Sequence, residues 1–141
     1  MLTTIESNKI SVFISYARED FIIAKSFENA INSRNISVWM DKEIRPLDYW
    51  KEEINNAIIS SDYIIYIVSK NSTVFDCYCR REIQFALENN KVIIPIQINN
   101  FSDINLNFIP NKIRELHWVD FSTLVSFTTT FFMHIFAYVH K

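Results

Sequence analysis

A near-continuous run of β-branched and aromatic residues, Tyr63–Val68, constrains the fold of this chain more than any other segment. Such a run is typical of a central strand in a parallel sheet, because helices cover both faces of that strand. Apolar segments that predict further strands lie at residues 10–15, 36–40, 92–96 and 116–119. Pro95, in the segment 92–96, indicates a strand end or a sheet edge, since proline has no N–H for a neighbouring strand.

Apolar residues at helical spacing separate these predicted strands. The helices are predicted over residues 19–34, around residues 50–58, from Tyr78 onwards, and over the terminal segment 122–139. Strands that alternate with helices predict a doubly wound α/β domain with a mainly parallel, five-stranded sheet. A length of 141 residues fits one domain, 1–141, with a core at 9–121.

Composition excludes several classes of protein. Apolar residues make up 49% and charged residues 21% of the chain, which is typical of a globular domain. The net charge is −2 and no basic run exceeds Arg80–Arg81, so we expect no nucleic-acid partner. Cys77 and Cys79 are separated by one residue, which matches neither a C-x-x-C redox pair nor a zinc half-site. We therefore expect reduced thiols and a cytoplasmic location.

The two ends of the chain bear on membrane association. Residues 1–8 are polar and lack the apolar stretch of a signal peptide. Residues 121–140 contain no Asp, Glu, Lys or Arg, which leaves a membrane-spanning helix open as an alternative. Several Ser and Thr residues oppose that alternative, and apolar residues recur at helical spacing. We favour a packed terminal helix and regard a membrane element as the weaker alternative.

The chain contains no glycine. Every glycine-rich phosphate cradle is therefore excluded, including the P-loop, the dinucleotide fingerprint and the nucleophile elbow. A nucleotide would have to be bound here without any of those devices.

The predicted topology gathers polar residues at one edge of the sheet. Ligands of open α/β sheets bind outside the carboxyl ends of the strands, where the loops at residues 16–18, 41–50 and 69–79 would lie. Glu82 follows the last of these loops and is four residues from Tyr78, so the two share a helix face. A ring beside a carboxylate suits a ligand with a stackable base and a sugar that develops positive charge. The alternative is a capping aromatic and a solvated glutamate.

Several segments together resemble a TIR domain (Toll/interleukin-1 receptor type), over nearly the whole chain. The segment Val12-Phe-Ile-Ser-Tyr16 resembles the first box of the family, and Val38-Trp-Met-Asp41, Ile44-Arg-Pro46 and Trp50 resemble the second strand and its long loop. The third strand, Ser69-x-Asn71-Ser72 and Cys79-x-x-Glu82 resemble the strand and helix that bear the catalytic glutamate of the family. The resemblance implies a flavodoxin-like three-layer domain.

Two residues depart from the family pattern. Leu47 stands where the loop of the family usually has glycine, and a left-handed turn there would be strained. Tyr78 stands where the family commonly has Trp, which keeps a stacking surface of different size.

The resemblance implies an enzyme that cleaves NAD⁺ at the nicotinamide–ribose bond, with NAD⁺ as substrate and no bound cofactor or metal. Glu82 would be the catalytic residue, because a carboxylate can stabilise an oxocarbenium-like transition state. The implied substrate-binding residues are Ser15, Tyr16, Ala17, Arg18, Asp41, Ile44, Pro46, Trp50 and Tyr78. Arg18 would meet a phosphate, Tyr78 would stack near the reacting carbon, and Ile44, Pro46 and Trp50 would form a mobile flap.

Each supporting residue also has a purely structural interpretation. Ser15 and Tyr16 can simply end a strand, and Asp41 can cap a loop. Trp50 begins an apolar helix stripe and is better explained as a core residue. Arg18 can pair with its acidic neighbours in solvent.

The resemblance also implies partners. TIR domains self-associate, and a stand-alone TIR enzyme such as those of Thoeris anti-phage systems works with a separate sensor or effector protein. One alternative is a non-catalytic TIR adaptor or virulence-type scaffold that acts by TIR–TIR contact. Another is a small α/β enzyme of similar layout, such as a nucleoside deoxyribosyltransferase, which also uses a glutamate at a sugar carbon.

Overall fold

A parallel five-stranded sheet with strand order β2-β1-β3-β4-β5 forms the centre of the molecule, which is a computed structural model. The structure describes residues 9–32, 34–42 and 52–122. The strands are β1 (Ser11–Ser15), β2 (Ser37–Met40), β3 (Tyr63–Val68), β4 (Val92–Gln97) and β5 (Val119–Asp120). The helices are α1 (Phe21–Asn32), α2 (Glu52–Ser60), α3 (Tyr78–Glu88) and the short α4 (Asn111–Arg114). Short 3₁₀ turns lie at Arg18–Asp20, Phe101–Asp103 and Leu106–Phe108.

Strand β3 lies at the middle of the sheet, as its apolar run predicts. It pairs in parallel with β1 on one side and with β4 on the other. Alternate residues of the sheet enter two separate cores: Ile64 and Tyr66 face α2 and α3, whereas Ile65 and Ile67 face α1. Helices therefore cover both faces of the sheet. The predicted flavodoxin-like α/β fold with a parallel five-stranded sheet is confirmed.

Pro95 lies inside β4 and opposite Tyr66 of β3, not at a strand end. Within the described residues, β5 pairs with β4 at Ile96 and Gln97, beyond the proline. The proline therefore occupies a stretch where β4 has not yet met its second neighbour, so the missing N–H is tolerated. Strand β5 is also shorter than predicted: of the segment 116–119, only Val119 pairs with β4, together with Asp120.

Asparagine takes the left-handed backbone positions in this glycine-free chain. Asn35 and Asn90 have φ angles of 61° and 56°. Asn90 follows the last turn of α3, where its N–H donates to the Leu87 carbonyl and the Lys91 N–H donates to the Ala86 carbonyl. This pair of bonds is a Schellman motif, which usually has glycine at the position of Asn90. Asparagine is the residue that replaces glycine there at least cost.

Two predictions fall on parts of the chain that the structure leaves undescribed. The flap residues Ile44, Pro46 and Trp50 lie outside the described residues, and so does nearly all of the predicted terminal helix 122–139. Among the described residues, no helix is long and apolar enough to cross a membrane.

Candidate active site

A buried serine and a buried glutamate meet at the carboxyl edge of the sheet. The hydroxyl of Ser15, at the end of β1, donates to Oε1 of Glu82 on α3 at 2.8 Å. Ser15 is 0% and Glu82 5% exposed. Burying a carboxylate costs solvation free energy unless hydrogen-bond donors replace the lost water. The Ser15 hydroxyl is such a donor, and it offsets part of the cost of burying Glu82.

The pattern of apolar residues along α3 explains where Glu82 points. Cys79, Ile83 and Ala86 are buried against the sheet, which fixes the inner face of the helix. Glu82 lies beside Ile83 and three residues after Cys79, so it reaches the sheet near its carboxyl edge. Because β1 lies next to β3 and Ser15 is in register with Tyr66, the end of β1 is directly beneath it.

Tyr16 joins the ends of the first two strands. Its hydroxyl donates to the backbone carbonyl of Asp41 at 2.5 Å. Burial, together with smaller effects of the Asp41 and Glu82 carboxylates, raises the pKa of Tyr16 to about 12, and Arg18 opposes this rise. Tyr16 is therefore a neutral donor that positions the start of the loop after β2.

The other predicted residues at the end of β1 differ in exposure. Ala17 is 2% exposed and precedes the 3₁₀ turn that starts at Arg18. Arg18 is exposed, whereas Asp41 is half-buried. The structure therefore places Ser15, Tyr16, Arg18 and Asp41 around the same edge, with Ala17 packed beneath. Their roles toward a ligand stay predictions.

Tyr78 is half-buried at the start of α3. It lines a cavity of about 840 Å³ between α3 and the turn at Leu106–Phe108. Arg80 crosses this cavity, with its guanidinium over the rings of Phe75 and Phe108. Among the described residues, Glu82 is not part of the cavity lining. This cavity therefore contains Tyr78 without Glu82 in its lining, although the two residues are four positions apart on one helix.

Cys77 and Cys79 form a disulfide, with their Cα atoms 5.3 Å apart. The expectation of two reduced thiols is therefore wrong for this structure. Cys77 has extended backbone angles immediately before α3, and Cys79 lies in the first helical turn. The chain turns at Tyr78, which brings the two sulfur atoms together across a single intervening residue. No group of His, Cys, Asp or Glu side chains suited to a metal ion occurs in the described part of the chain.

A polar network that the sequence did not predict connects two of the loops at this edge. Asp20 is 5% exposed, and its carboxylate accepts from the Ser69 hydroxyl at 2.5 Å and from the Asn71 amide at 2.8 Å. The Ser69 hydroxyl in turn accepts from the backbone N–H groups of Asn71 and Ser72. The turn after β1 is therefore bonded directly to the loop after β3.

Glu28 is a second carboxylate that sequence reasoning missed. It is 5% exposed on the inner face of α1, and its Oε1 accepts from Lys25 at 2.6 Å and from Lys42 at 3.0 Å. Burial alone would raise the pKa of Glu28, but the two ammonium groups outweigh burial and lower it. Lys42 follows β2, so this ion pair anchors the loop that begins there. The signal in the sequence was a glutamate placed within an apolar helix stripe.

The family of the chain follows from comparison with known proteins. The family model for TIR domains matches residues 12–133, and the chain belongs to the TIR family. Its fold is similar to that of the TIR domains of the activated Roq1 resistosome, which recognises the pathogen effector XopQ. The TM-score is 0.72 at 17% identity, and the match covers 93% of this chain and 99% of that chain.

Two further solved structures share the fold. The TIR domain of the Toll-related receptor TRR-2 from Hydra magnipapillata has a TM-score of 0.68 at 20% identity, and the match covers 92% of this chain and 98% of that chain. The CMP N-glycosidase BcmB of Clostridium botulinum has a TM-score of 0.58 at 14% identity, with 91% and 98% covered. No curated protein matches the chain.

Proposed function

We propose that this TIR protein is an NAD⁺ nucleosidase that cleaves the nicotinamide–ribose bond, with Glu82 as the catalytic carboxylate. The observation that carries the proposal is the buried hydrogen bond between Ser15 and Glu82 at the carboxyl edge of the sheet. A carboxylate with 5% exposure is held there at a cost in solvation, which is common where the charge serves a reaction.

The reaction needs little more than electrostatic stabilisation. The bond between the anomeric carbon and the pyridine nitrogen breaks, and its electron pair neutralises the nicotinamide, which leaves without protonation. The ribose carbon becomes oxocarbenium-like, and the Glu82 carboxylate stabilises that positive charge in a site of low dielectric. Water then adds to the carbon and loses a proton, giving ADP-ribose. Attack by a hydroxyl or a base of the same nucleotide would give a cyclic product in its place.

The neighbouring residues suit this chemistry. Ser15 orients the carboxylate, and neutral Tyr16 holds Asp41 and the start of the following loop. Arg18 is exposed at the same edge, where it would meet a phosphate of the substrate. Tyr78 would stack on substrate that extends towards the outer cavity, and the segment containing Ile44, Pro46 and Trp50 would close over the site.

We further propose a setting for this activity. The chain would act in the cytoplasm, self-associate through TIR–TIR contacts, and produce an ADP-ribose-derived signal for a separate protein in anti-phage defence, as a stand-alone prokaryotic TIR enzyme. What supports self-association is that the TIR domains of a resistosome share this fold.

Two other functions compete with this one. A TIR adaptor without catalytic activity would use the same fold as a scaffold, and in such a protein Glu82 would serve only the buried contact with Ser15. A nucleotide N-glycosidase with another substrate is favoured by the likeness in fold to the CMP N-glycosidase. Nicotinamide is cationic in NAD⁺ and leaves as a neutral molecule, whereas cytosine is neutral in CMP and would leave as an anion unless it is protonated. The two substrates therefore make different demands on the site.

The test is a nucleotide cleavage assay on purified protein at high concentration, with and without a crowding agent. NAD⁺ and CMP are supplied separately, and the products are identified by chromatography and mass. We expect nicotinamide release by the wild type and none by Glu82→Gln. Glu115→Gln is the matched control, because Glu115 is exposed just after α4 and does not line the cavity beside Tyr78.

The outcomes separate the candidates. Cleavage of CMP alone would replace NAD⁺ as the substrate and leave Glu82 as the catalytic group. Cleavage of NAD⁺ that persists in Glu82→Gln at the wild-type rate would refute the assignment of Glu82. Folded, assembled protein that cleaves neither nucleotide would favour the adaptor.

A further inference from the structure

We propose that Asp20 is a positioning residue of this site. Its carboxylate clamps the loop after β3 to the turn after β1, and it thereby holds Glu82 in contact with Ser15. The inference rests on the proposed function for its catalytic consequence, because Asp20 itself does not touch the Ser15–Glu82 hydrogen bond. The Asp20 carboxylate, the Ser69 hydroxyl and the Asn71 side chain form what we call the Asp20 clamp.

The serine of the Asp20 clamp is buried, and its hydroxyl also bonds to the backbone of the loop. Ser69 and Ser72 are both 0% exposed. The Ser69 hydroxyl accepts from the N–H groups of Asn71 at 3.1 Å and Ser72 at 2.9 Å, while the Ser72 hydroxyl accepts from the Ser69 N–H at 2.8 Å. The Ser69 proton is then directed to Asp20, because a hydroxyl has one proton to donate. The carboxylate therefore completes a turn that already closes on itself.

Both ends of the Asp20 clamp lead directly to the catalytic pair. Asp20 ends the 3₁₀ turn that starts at Arg18, and its N–H donates to the Ala17 carbonyl at 2.8 Å, two residues after Ser15. On the other side, the loop that begins at Ser69 ends where α3 starts, one helical turn before Glu82. A shift of this loop would move the start of α3, and a displacement of about 1 Å at a reacting group can cost roughly 100-fold in rate.

The sequence of the clamp allows a swap experiment. Asp20→Asn keeps both bonds if the Asn71 amide rotates so that its oxygen accepts from the new amide. Asn71→Asp places two carboxylates against each other and breaks the contact. The double variant Asp20→Asn/Asn71→Asp exchanges acid and amide and restores donor–acceptor pairing. If the clamp only stabilised its own loop, the double variant would restore amide exchange in that loop but would not be expected to restore the Glu82 signal and NAD⁺ cleavage as well.

The first readout is independent of catalysis. Hydrogen exchange at the amides of Asn71 and Ser72 and the ¹³C shift of the Glu82 carboxyl carbon are measured by NMR. In Asn71→Asp we expect exchange about tenfold faster or more, since a bond to a charged group is lost, and a displaced Glu82 signal. Both should return towards wild type in the double variant, and Asp20→Asn should remain within about threefold of wild type.

The second readout is the cleavage of NAD⁺. Asn71→Asp should lower kcat about tenfold or more while KM changes less than about threefold, and the double variant should recover. Asp62→Ala is the matched control, because the Asp62 carboxylate accepts from Ser11 at the opposite edge of the sheet. That variant should leave kcat unchanged.

The two readouts distinguish failure of the clamp from failure of the proposed function. If the wild type cleaves no NAD⁺, the proposed function fails, and the exchange rates and the Glu82 signal still decide whether the clamp positions Glu82. If Asn71→Asp leaves the exchange rates and the Glu82 signal unchanged, or if the double variant is as impaired as Asn71→Asp, the inference is overturned.

Discussion

The hydrogen bond between Ser15 and Glu82 predicts a measurable coupling between two residues that are 67 positions apart. Ser15→Ala removes the donor with almost no change in volume, and Glu82→Met replaces the acceptor with an apolar side chain of similar length. Each single variant should lose the interaction, and the double variant should lose it only once. The non-additive part of the destabilisation is therefore the energy of the contact.

The magnitude follows from charge and burial. A hydrogen bond to a charged group contributes about 1.5–3 kcal/mol, and solvent screens it little here because the partners are 0% and 5% exposed. We expect the free energy of unfolding of Ser15→Ala to fall by about that amount. For a domain of this size, that corresponds to a decrease in Tm of roughly 5–10 °C.

The assay is urea unfolding at about pH 7 for the wild type, both single variants and the double variant. The exposed contact between the Ser11 hydroxyl and the Asp62 carboxylate, at 3.4 Å, offers a control cycle that should give a coupling energy below about 1 kcal/mol. A coupling energy below about 0.5 kcal/mol between Ser15 and Glu82 would refute the reasoning, since distant residues reach that level without contact.

Three further predictions concern stability. Lys25 and Lys42 lower the pKa of Glu28 in the folded protein, although burial raises it. The ionised Glu28 therefore stabilises the fold at pH values above its ordinary pKa of 4.5, and this stabilisation is lost as the pH falls through the lower pKa of the folded state. Glu28→Gln should therefore cost about 1–2 kcal/mol near neutral pH and make the acid limb of a stability–pH curve shallower. An unchanged limb would contradict the ion pairs. Asn90→Ala should cost about 1 kcal/mol because alanine is strained at φ 56°, whereas Asn90→Gly should be neutral or stabilising in thermal unfolding. Equal effects of the two substitutions would rule out backbone strain as the cause. Because burial raises the pKa of Tyr16 to about 12, the unfolded tyrosine loses its proton first, and stability should fall as pH rises above 10. In Tyr16→Phe this fall, measured by urea unfolding, should be shallower; an identical slope would show that Tyr16 is not the group responsible.

The elements of the fold were predictable where local periodicity is strong. The predicted bounds of β3, Tyr63–Val68, coincide with the observed strand, since every residue of that run is apolar and four of the six are β-branched. Periodicity was less reliable at the ends of elements. The helix predicted from residue 19 begins with a 3₁₀ turn and becomes α-helical at Phe21, and the strand predicted at 116–119 pairs at Val119–Asp120. Capping and pairing decide such boundaries, and apolar spacing does not encode them.

The candidate site was predictable only in part. Topology alone places Ser15 and Glu82 at one edge of the sheet, because carboxyl ends of parallel strands lie together. Asp20 and Glu28 escaped prediction, since an acidic residue on a helix is ordinarily solvated. What distinguishes Asp20 is its contact with Ser69 and Asn71, and these partners are 49 and 51 positions away.

By itself, the sequence determined the class of fold, the order of strands and helices, and the exclusion of every glycine-rich phosphate loop, because these depend on residue type and short-range spacing. Only the tertiary structure decided which polar groups meet. It joined Ser15 to Glu82, placed Tyr78 in the wall of a cavity that Glu82 does not line, paired Cys77 with Cys79, and buried Asp20 and Glu28 among donors. The physical reason is that a hydrogen bond depends on distances of a few tenths of an ångström, which follow from the packing of whole elements and not from the pattern within one.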